Sequence, residues 1–147
     1  MTWESCDTNI LFYSLNPTCP EHSIAGEYLD RMDGRSDFLL CELVLTELYV
    51  LIRNPTINAK ALSAAQASEV IRKFRQHPKW RLVDYPGYLM ADVWRRAGEP
   101  NFSRRAIYDA RLALTLRHYG VNRFATRNAK DFEGYGFETV FDPITTA

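Results

Sequence analysis

Four short apolar runs, each too brief for a helix, set the main constraint on how this chain folds. Phe38–Cys41, Trp80–Val83, Val121–Thr126 and Phe137–Phe141 read as buried strands bounded by turn residues. Helical stretches separate them. One runs from about Glu21 to Met32 and stops at Gly34, and another covers Leu43–Arg53 and stops at Asn54-Pro55. Ser63 is placed to cap a helix reaching about Gln76, a further helix lies near Gly87–Ala97, and Ser103 opens one through Tyr119 that Gly120 terminates. A first strand before Asp7 is implied, although Thr2-Trp3-Glu4-Ser5-Cys6 is unusually polar for one. Strands alternating with helices predict an α/β fold: a central parallel sheet of four to five short strands flanked by helices on both faces. With no repeat and no linker, residues 1–147 form a single domain, long enough to bury roughly two thirds of its unfolded surface.

Composition narrows the function. At 46% hydrophobic and 13% aromatic residues the chain is a globular protein and not a disordered one. Its three cysteines, Cys6, Cys19 and Cys41, are odd in number and lack CxxC spacing, which argues against a disulfide framework or a zinc ribbon and for a reducing, cytoplasmic setting. No basic leader precedes an apolar run, and no stretch approaches the ~20 apolar residues of a membrane span. The formal charge of zero hides an asymmetry. Residues 1–70 carry 4 basic and 10 acidic side chains, a balance of −6, whereas residues 71–147 carry 14 and 8, a balance of +6. The basic half suits a polyanionic partner such as RNA, or simply a solvated helix face.

Two carboxylates occupy places where apolar residues belong. Around Glu47, the positions three and four away are Leu43, Val44, Val50 and Leu51; around Asp109 they are Arg105, Ala106, Leu112 and Ala113. An acid on a packing face must be paired, protonated or neutralised by a cation, because burying it alone costs several kcal/mol. A buried salt bridge would satisfy it as well as a catalytic site would. Asp7 stands where the first strand gives way to a helix, either as an N-cap or as a ligand at the carboxyl edge of the sheet, the edge where open α/β folds bind ligands. Asn128 and Asp131 follow the Val121–Thr126 strand and reach the same edge, where capping or fixing a turn is the alternative role for each, Asp131 more than Asn128. Oxygen donors without paired Cys or His suit Mg²⁺ or Mn²⁺, and such ions support phosphodiester hydrolysis with no side-chain nucleophile. His22, His77 and His118 have no spacing that suggests a triad.

The segments Cys6-Asp7-Thr8-Asn9-Ile10-Leu11, Leu45-Thr46-Glu47-Leu48, Ile107-Tyr108-Asp109-Ala110-Arg111-Leu112-Ala113 and Ala125-Thr126-Arg127-Asn128-Ala129-Lys130-Asp131-Phe132 resemble, in order and spacing, the PIN-domain ribonucleases, specifically VapC-type toxins of bacterial type II toxin–antitoxin systems. The resemblance covers nearly the whole chain. It implies a Mg²⁺-dependent endoribonuclease whose metal-binding acids are Asp7, Glu47 and Asp109. The family's fourth acidic position falls at Asn128, with Asp131 close by as a substitute. The resemblance also implies an antitoxin lying across the active-site groove, and a homodimer. By the same resemblance Thr8 and Thr126 are hydroxyls that meet substrate or a metal ligand, with turn capping as the competing role, and Arg104, Arg105, Arg127 and Lys130 are candidates for RNA phosphate contact, with intramolecular salt bridges as theirs. Two other readings compete: a PIN-like module that binds RNA or protein with weakened catalysis, suggested by Asn128, and a receiver-type signalling domain, disfavoured because its paired acids at the first strand cannot be placed.

Overall fold

The computed structural model describes residues 2–145. The strands are β1 (Trp3–Cys6), β2 (Leu39–Cys41), β3 (Arg81–Val83), β4 (Val121–Ala125) and β5 (Thr139–Phe141). The helices are α1 (Thr8–Leu15), α2 (His22–Asp33), α3 (Glu42–Ile52), α4 (Ala64–Arg75), α5 (Met90–Ala97) and α6 (Ala106–His118). Short 3-10 turns at Gly87–Leu89 and Ala129–Phe132 lead into α5 and follow β4. Every strand pairing is parallel.

The chain visits the strands in the spatial order β3-β2-β1-β4-β5, but the expected single sheet is divided. A three-stranded ladder, β1-β4-β5, stands beside a two-stranded one, β2-β3, and the two are joined by a lone bridge between Glu4 and Phe38. The division has a local cause. Ser5 Oγ donates to Leu39 O at 2.6 Å, so a side-chain hydroxyl takes a carbonyl that a continuous ladder would give to a backbone N–H. One residue earlier, Glu4 N still donates to Asp37 O at 2.9 Å.

Connections between parallel strands are right-handed, so the direction of each step across the sheet decides which face its helices cover. The steps from β1 to β2 and from β2 to β3 run the same way and place α1 to α4 on one face. The step from β3 back to β4 runs the other way and places α5 and α6 on the opposite face. Contacts agree, with α1 packing on α2 and α3, α3 on α4, and α5 on α6. The order reverses between β1 and β4, so the carboxyl ends of those two strands form the crevice where such sheets bind ligands.

Individual elements follow their sequence signals closely. Ser63 caps α4 in a reciprocal box, accepting from Gln66 N at 3.2 Å while Gln66 Oε1 accepts from Ser63 N at 3.0 Å. Gly120 turns α6 into β4 at φ +85°, a region that side-chain-bearing residues avoid. Ser103 is a correction: α6 begins at Ala106, and Ser103 contributes only its carbonyl, which accepts from Ala106 N at 3.1 Å. Residues 103–105 form a turn instead, and Asp109 therefore lies in the first turn of α6. A single apolar cluster, including Ile10, Leu11, Phe38, Leu40, Leu45, Leu48, Leu116 and Phe124, fills the space between sheet and helices.

The polar first strand also has an explanation. Glu4 is 2% exposed and is neutralised where it is buried. Its carboxylate accepts from Tyr28 Oη at 2.6 Å and pairs with Arg123 Nε at 3.1 Å and with Arg35 at 3.5 Å. Removing a partner from a buried ion pair usually costs more than the pair contributes, but Arg35 and Arg123 keep 37% and 44% of their side-chain surface in water and are partly rehydrated. Glu4→Ala should lower stability by about 2 kcal/mol, read as a lower urea midpoint at unchanged slope; an unchanged midpoint would show that the network is idle.

Candidate active site

Asp7 is the fixed point of the site. It follows β1 directly, is buried, and caps α1 by accepting from Thr8 N at 2.8 Å through Oδ1. Its Oδ2 accepts from Thr126 Oγ1 at 2.8 Å, and its backbone N–H donates to Ala125 O at 2.8 Å. The residue is thus both helix cap and part of the site, because the carboxyl end of β1 is also the amino end of α1.

Three more acids face this position. Asp109 in the first turn of α6 is half-buried. Glu47 lies midway along α3, with Oε2 3.5 Å from Thr8 Oγ1. Asp131, in the 3-10 turn after β4, is exposed, yet its charge acts on both Asp7 and Asp109. The carboxyls repel. Asp7 is raised above the ordinary carboxylate range, mainly by burial, against the pull of its two hydrogen bonds. Glu47 is pushed up to about 7 by burial and by the charges of Asp7 and Asp109. Asp109 is pushed up to about 6 by burial and by Asp7 and Asp131.

None of Asp7, Glu47, Asp109 and Asp131 has a basic partner in an ion pair among the described residues. The buried salt bridge, the competing explanation for acids at these places, is therefore absent. Two helix N-termini, of α1 and α6, supply the nearest compensation through their positive ends. The donor set is all oxygen, the chemistry of a hard cation. In the present arrangement no three His, Cys, Asp or Glu side chains among the described residues are close enough together to ligate one ion.

The other expected residues divide. Thr8 and Thr126 are buried and their hydroxyls meet the acids directly, Thr126 also accepting from Asn128 N at 3.1 Å. Asn128 is exposed and its side chain makes no cap bond, so of the two candidates for a fourth corner the acid felt by the cluster is Asp131. For Arg127 the structure shows the competing role, an intramolecular salt bridge: its guanidinium is paired with Asp142 at 2.9 Å. Parallel pairing explains this, since Arg127 follows the end of β4 and Asp142 follows β5 beside it. Arg104, Arg105 and Lys130 are exposed and have no ion pair among the described residues. Glu47 is exposed at the rim and does not lie on a packed face, because α3 is apolar almost all round and Val50, one of its apolar neighbours, is itself 62% exposed. Two features escaped the sequence reading. Arg96 of α5 lies over the Tyr135 ring at 4.5 Å, with Tyr135 within the electrostatic reach of Asp109, and Arg111 of α6 stacks on Tyr85. Only the tertiary fold brings either pair together.

No family model matches the chain. A curated relative, Ribonuclease VapC24 of Mycobacterium tuberculosis (strain CDC 1551 / Oshkosh), is 49% identical over 142 residues, which is 97% of this chain and 97% of the relative. The chain belongs to the VapC ribonuclease family. Solved structures carry the same fold at much lower identity. Mycobacterium tuberculosis VapC20, described as a Sarcin-Ricin loop cleaving toxin, superposes with a TM-score of 0.65 at 16% identity, covering 82% of this chain and 86% of that one. DNA-bound VapBC from Salmonella typhimurium gives 0.59 at 18% identity, covering 97% and 99%. The four motif segments of this VapC-family chain thus converge, as their order suggested, on one edge of its sheet.

The repulsion has a measurable signature. Between the ordinary carboxylate range of the unfolded chain and the raised values in the folded one, the folded state binds more protons, so stability falls as pH rises. Below that range both states are protonated and the penalty vanishes. Glu47 is exposed, so solvent screening reduces its share. Chelator-treated protein should melt at a higher temperature near pH 5 than near pH 8, and Asp109→Asn should flatten the dependence; a melting temperature rising across that interval would contradict the raised values.

Proposed function

We propose that the chain is a metal-dependent endoribonuclease, the cytoplasmic toxin of a toxin–antitoxin module, hydrolysing RNA phosphodiester bonds at Asp7, Glu47 and Asp109, with Asp131 as the fourth acid. The observation that carries this reading is a set of four acids without ion pairs at the reversal point of a parallel sheet. Clustered charge of one sign destabilises a fold, and a structural role would have paired it. Mg²⁺, with Mn²⁺ as a substitute, is the cofactor this all-oxygen donor set suits, and Asp7, Glu47 and Asp109 would hold it once their carboxylates draw together. When bound, the ion supplies an activated water and neutralises charge on the phosphoryl group.

The chain's own residues do the rest. Asp7 is oriented by Thr126 and Thr8 N, so its carboxylate presents a fixed geometry. Thr8 orients Glu47 from the other side. Arg104, Arg105 and Lys130 offer unpaired cations for the RNA backbone. Relatives in the VapC family and the VapBC assembly support an antitoxin as the protein partner, and a second copy of the chain is the expected oligomeric partner.

The decisive comparison is RNA cleavage by protein freed of antitoxin, in Mg²⁺ or Mn²⁺, against Asp7→Ala and Asp109→Ala. Wild-type protein should cleave, both variants should fall to background, and chelation should abolish the activity. Equal cleavage by all three proteins would overturn the assignment. Binding of RNA with no metal binding at millimolar levels would favour a non-catalytic binding module.

A further inference from the structure

Arg111 lies on α6, two residues beyond Asp109, and is half-buried. Its Nε is buried and has no acceptor among the described residues. Among the described residues no hydrogen bond or ion pair reaches the remainder of its guanidinium either. The partner it does have is the Tyr85 ring, whose centroid is 3.8 Å from Cζ. A guanidinium with one N–H withdrawn from water and left without an acceptor is destabilised, and contact with an aromatic face offsets only part of that cost.

Its position gives the missing anion a meaning. Tyr85 lies two residues beyond the end of β3, and the charges of Arg111 and Asp84 both act on the thiol of Cys41, the last residue of β2. Arg111 therefore stands over the carboxyl ends of β2 and β3, on the same edge as the acids that follow β1 and β4. An RNA strand drawn across four acids needs cations on both flanks. Lys130, beside Asp131, follows β4 on one side. Close contact with the Tyr85 face restricts where the donors of Arg111 lie, and the planar fork of a guanidinium matches a phosphate.

We propose that Arg111, held flat by Tyr85, binds an RNA backbone phosphate flanking the scissile one, extending the substrate path over the carboxyl ends of β2 and β3. The proposal rests on the ribonuclease reading and makes Arg111 a substrate-positioning residue, not a catalytic one.

The test measures affinity for a labelled RNA cut by the wild-type protein, in an Asp7→Asn background, between 50 and 200 mM salt. Arg111→Met should weaken binding roughly tenfold and lower the salt slope by about 1. Arg111→Lys should keep the slope while losing part of the affinity, because a point charge lacks the fork. Tyr85→Leu should resemble the lysine variant. With Asp7 restored, Arg111→Met should raise KM and leave kcat within about threefold. Thermal melts show which variants fold; if Arg111→Met does not, wild-type affinity in Arg111→Lys overturns the proposal. So does unchanged affinity and slope in a folded Arg111→Met, or a loss confined to antitoxin binding. If the wild-type protein neither binds nor cuts RNA, the ribonuclease reading itself fails.

Discussion

The anchoring of Asp7 is the interaction on which the rest of the structure depends. Its N–H ties β1 to the end of β4, one carboxylate oxygen caps α1, and the other is held by Thr126. Thr126 in turn donates its own N–H to Phe141 O at 2.9 Å, so the tie passes on to β5. Three strands and a helix thus meet at one acid. Moving that carboxylate would loosen a strand end and uncap a helix together, which is how a small domain can hold a charged group in a fixed direction. The other acids are fixed less firmly: Asp109 is half-buried, and Glu47 and Asp131 are exposed. The site combines one rigidly held carboxylate with others free to adjust, which would suit the ion and phosphate of the proposed function.

That arrangement carries a standing electrostatic cost. Burial raises Asp7 although two hydrogen bonds act to lower it, so desolvation wins at that residue. At Glu47 and Asp109 the neighbouring charges add to burial. A fold selected for stability alone would have supplied an arginine here, and the chain has eighteen Lys and Arg to draw on. Several lie close in sequence, yet Arg127 turns away to Asp142 and Arg111 to Tyr85. Local conflict of this kind concentrates at functional sites, where stability is given up for reactivity.

What could be read from the sequence follows from the range of each interaction. Strand and helix positions depend on local periodicity and caps, so β2 to β5, α2 to α4 and the box at Ser63 were legible within a few residues. The start of α6 was not, because Ser103 is a good cap by type but the chain turns through residues 103–105 before the helix begins. Asp109 was recognised from its apolar surroundings; Glu47 was singled out by the same argument although it is exposed, since neighbours three and four away do not define a face on a helix apolar all round. The preference for Asp131 over Asn128, the pairing of Arg127 with Asp142, and the stacking of Arg111 on Tyr85 all depend on which strand ends lie side by side. Sequence spacing carries no such information.

Glu4 and Asp7 show within one segment how differently two buried acids can be surrounded. They are three residues apart and both are buried, Glu4 within β1 and Asp7 just after its end. Glu4 points to a place where Tyr28, Arg35 and Arg123 converge, and its charge is cancelled. Asp7 meets only hydroxyl and amide donors, with three further carboxylates as neighbours, and its charge is left standing. Burial and residue type are the same in the two cases, so neither identifies a catalytic acid. The distinguishing property is the sign of what surrounds it. Asp7 is taken out of water, fixed in direction and left without an ion-pair partner among the described residues, and on this edge of the sheet the half-buried Asp109 and the rim residue Glu47 add charge of the same sign.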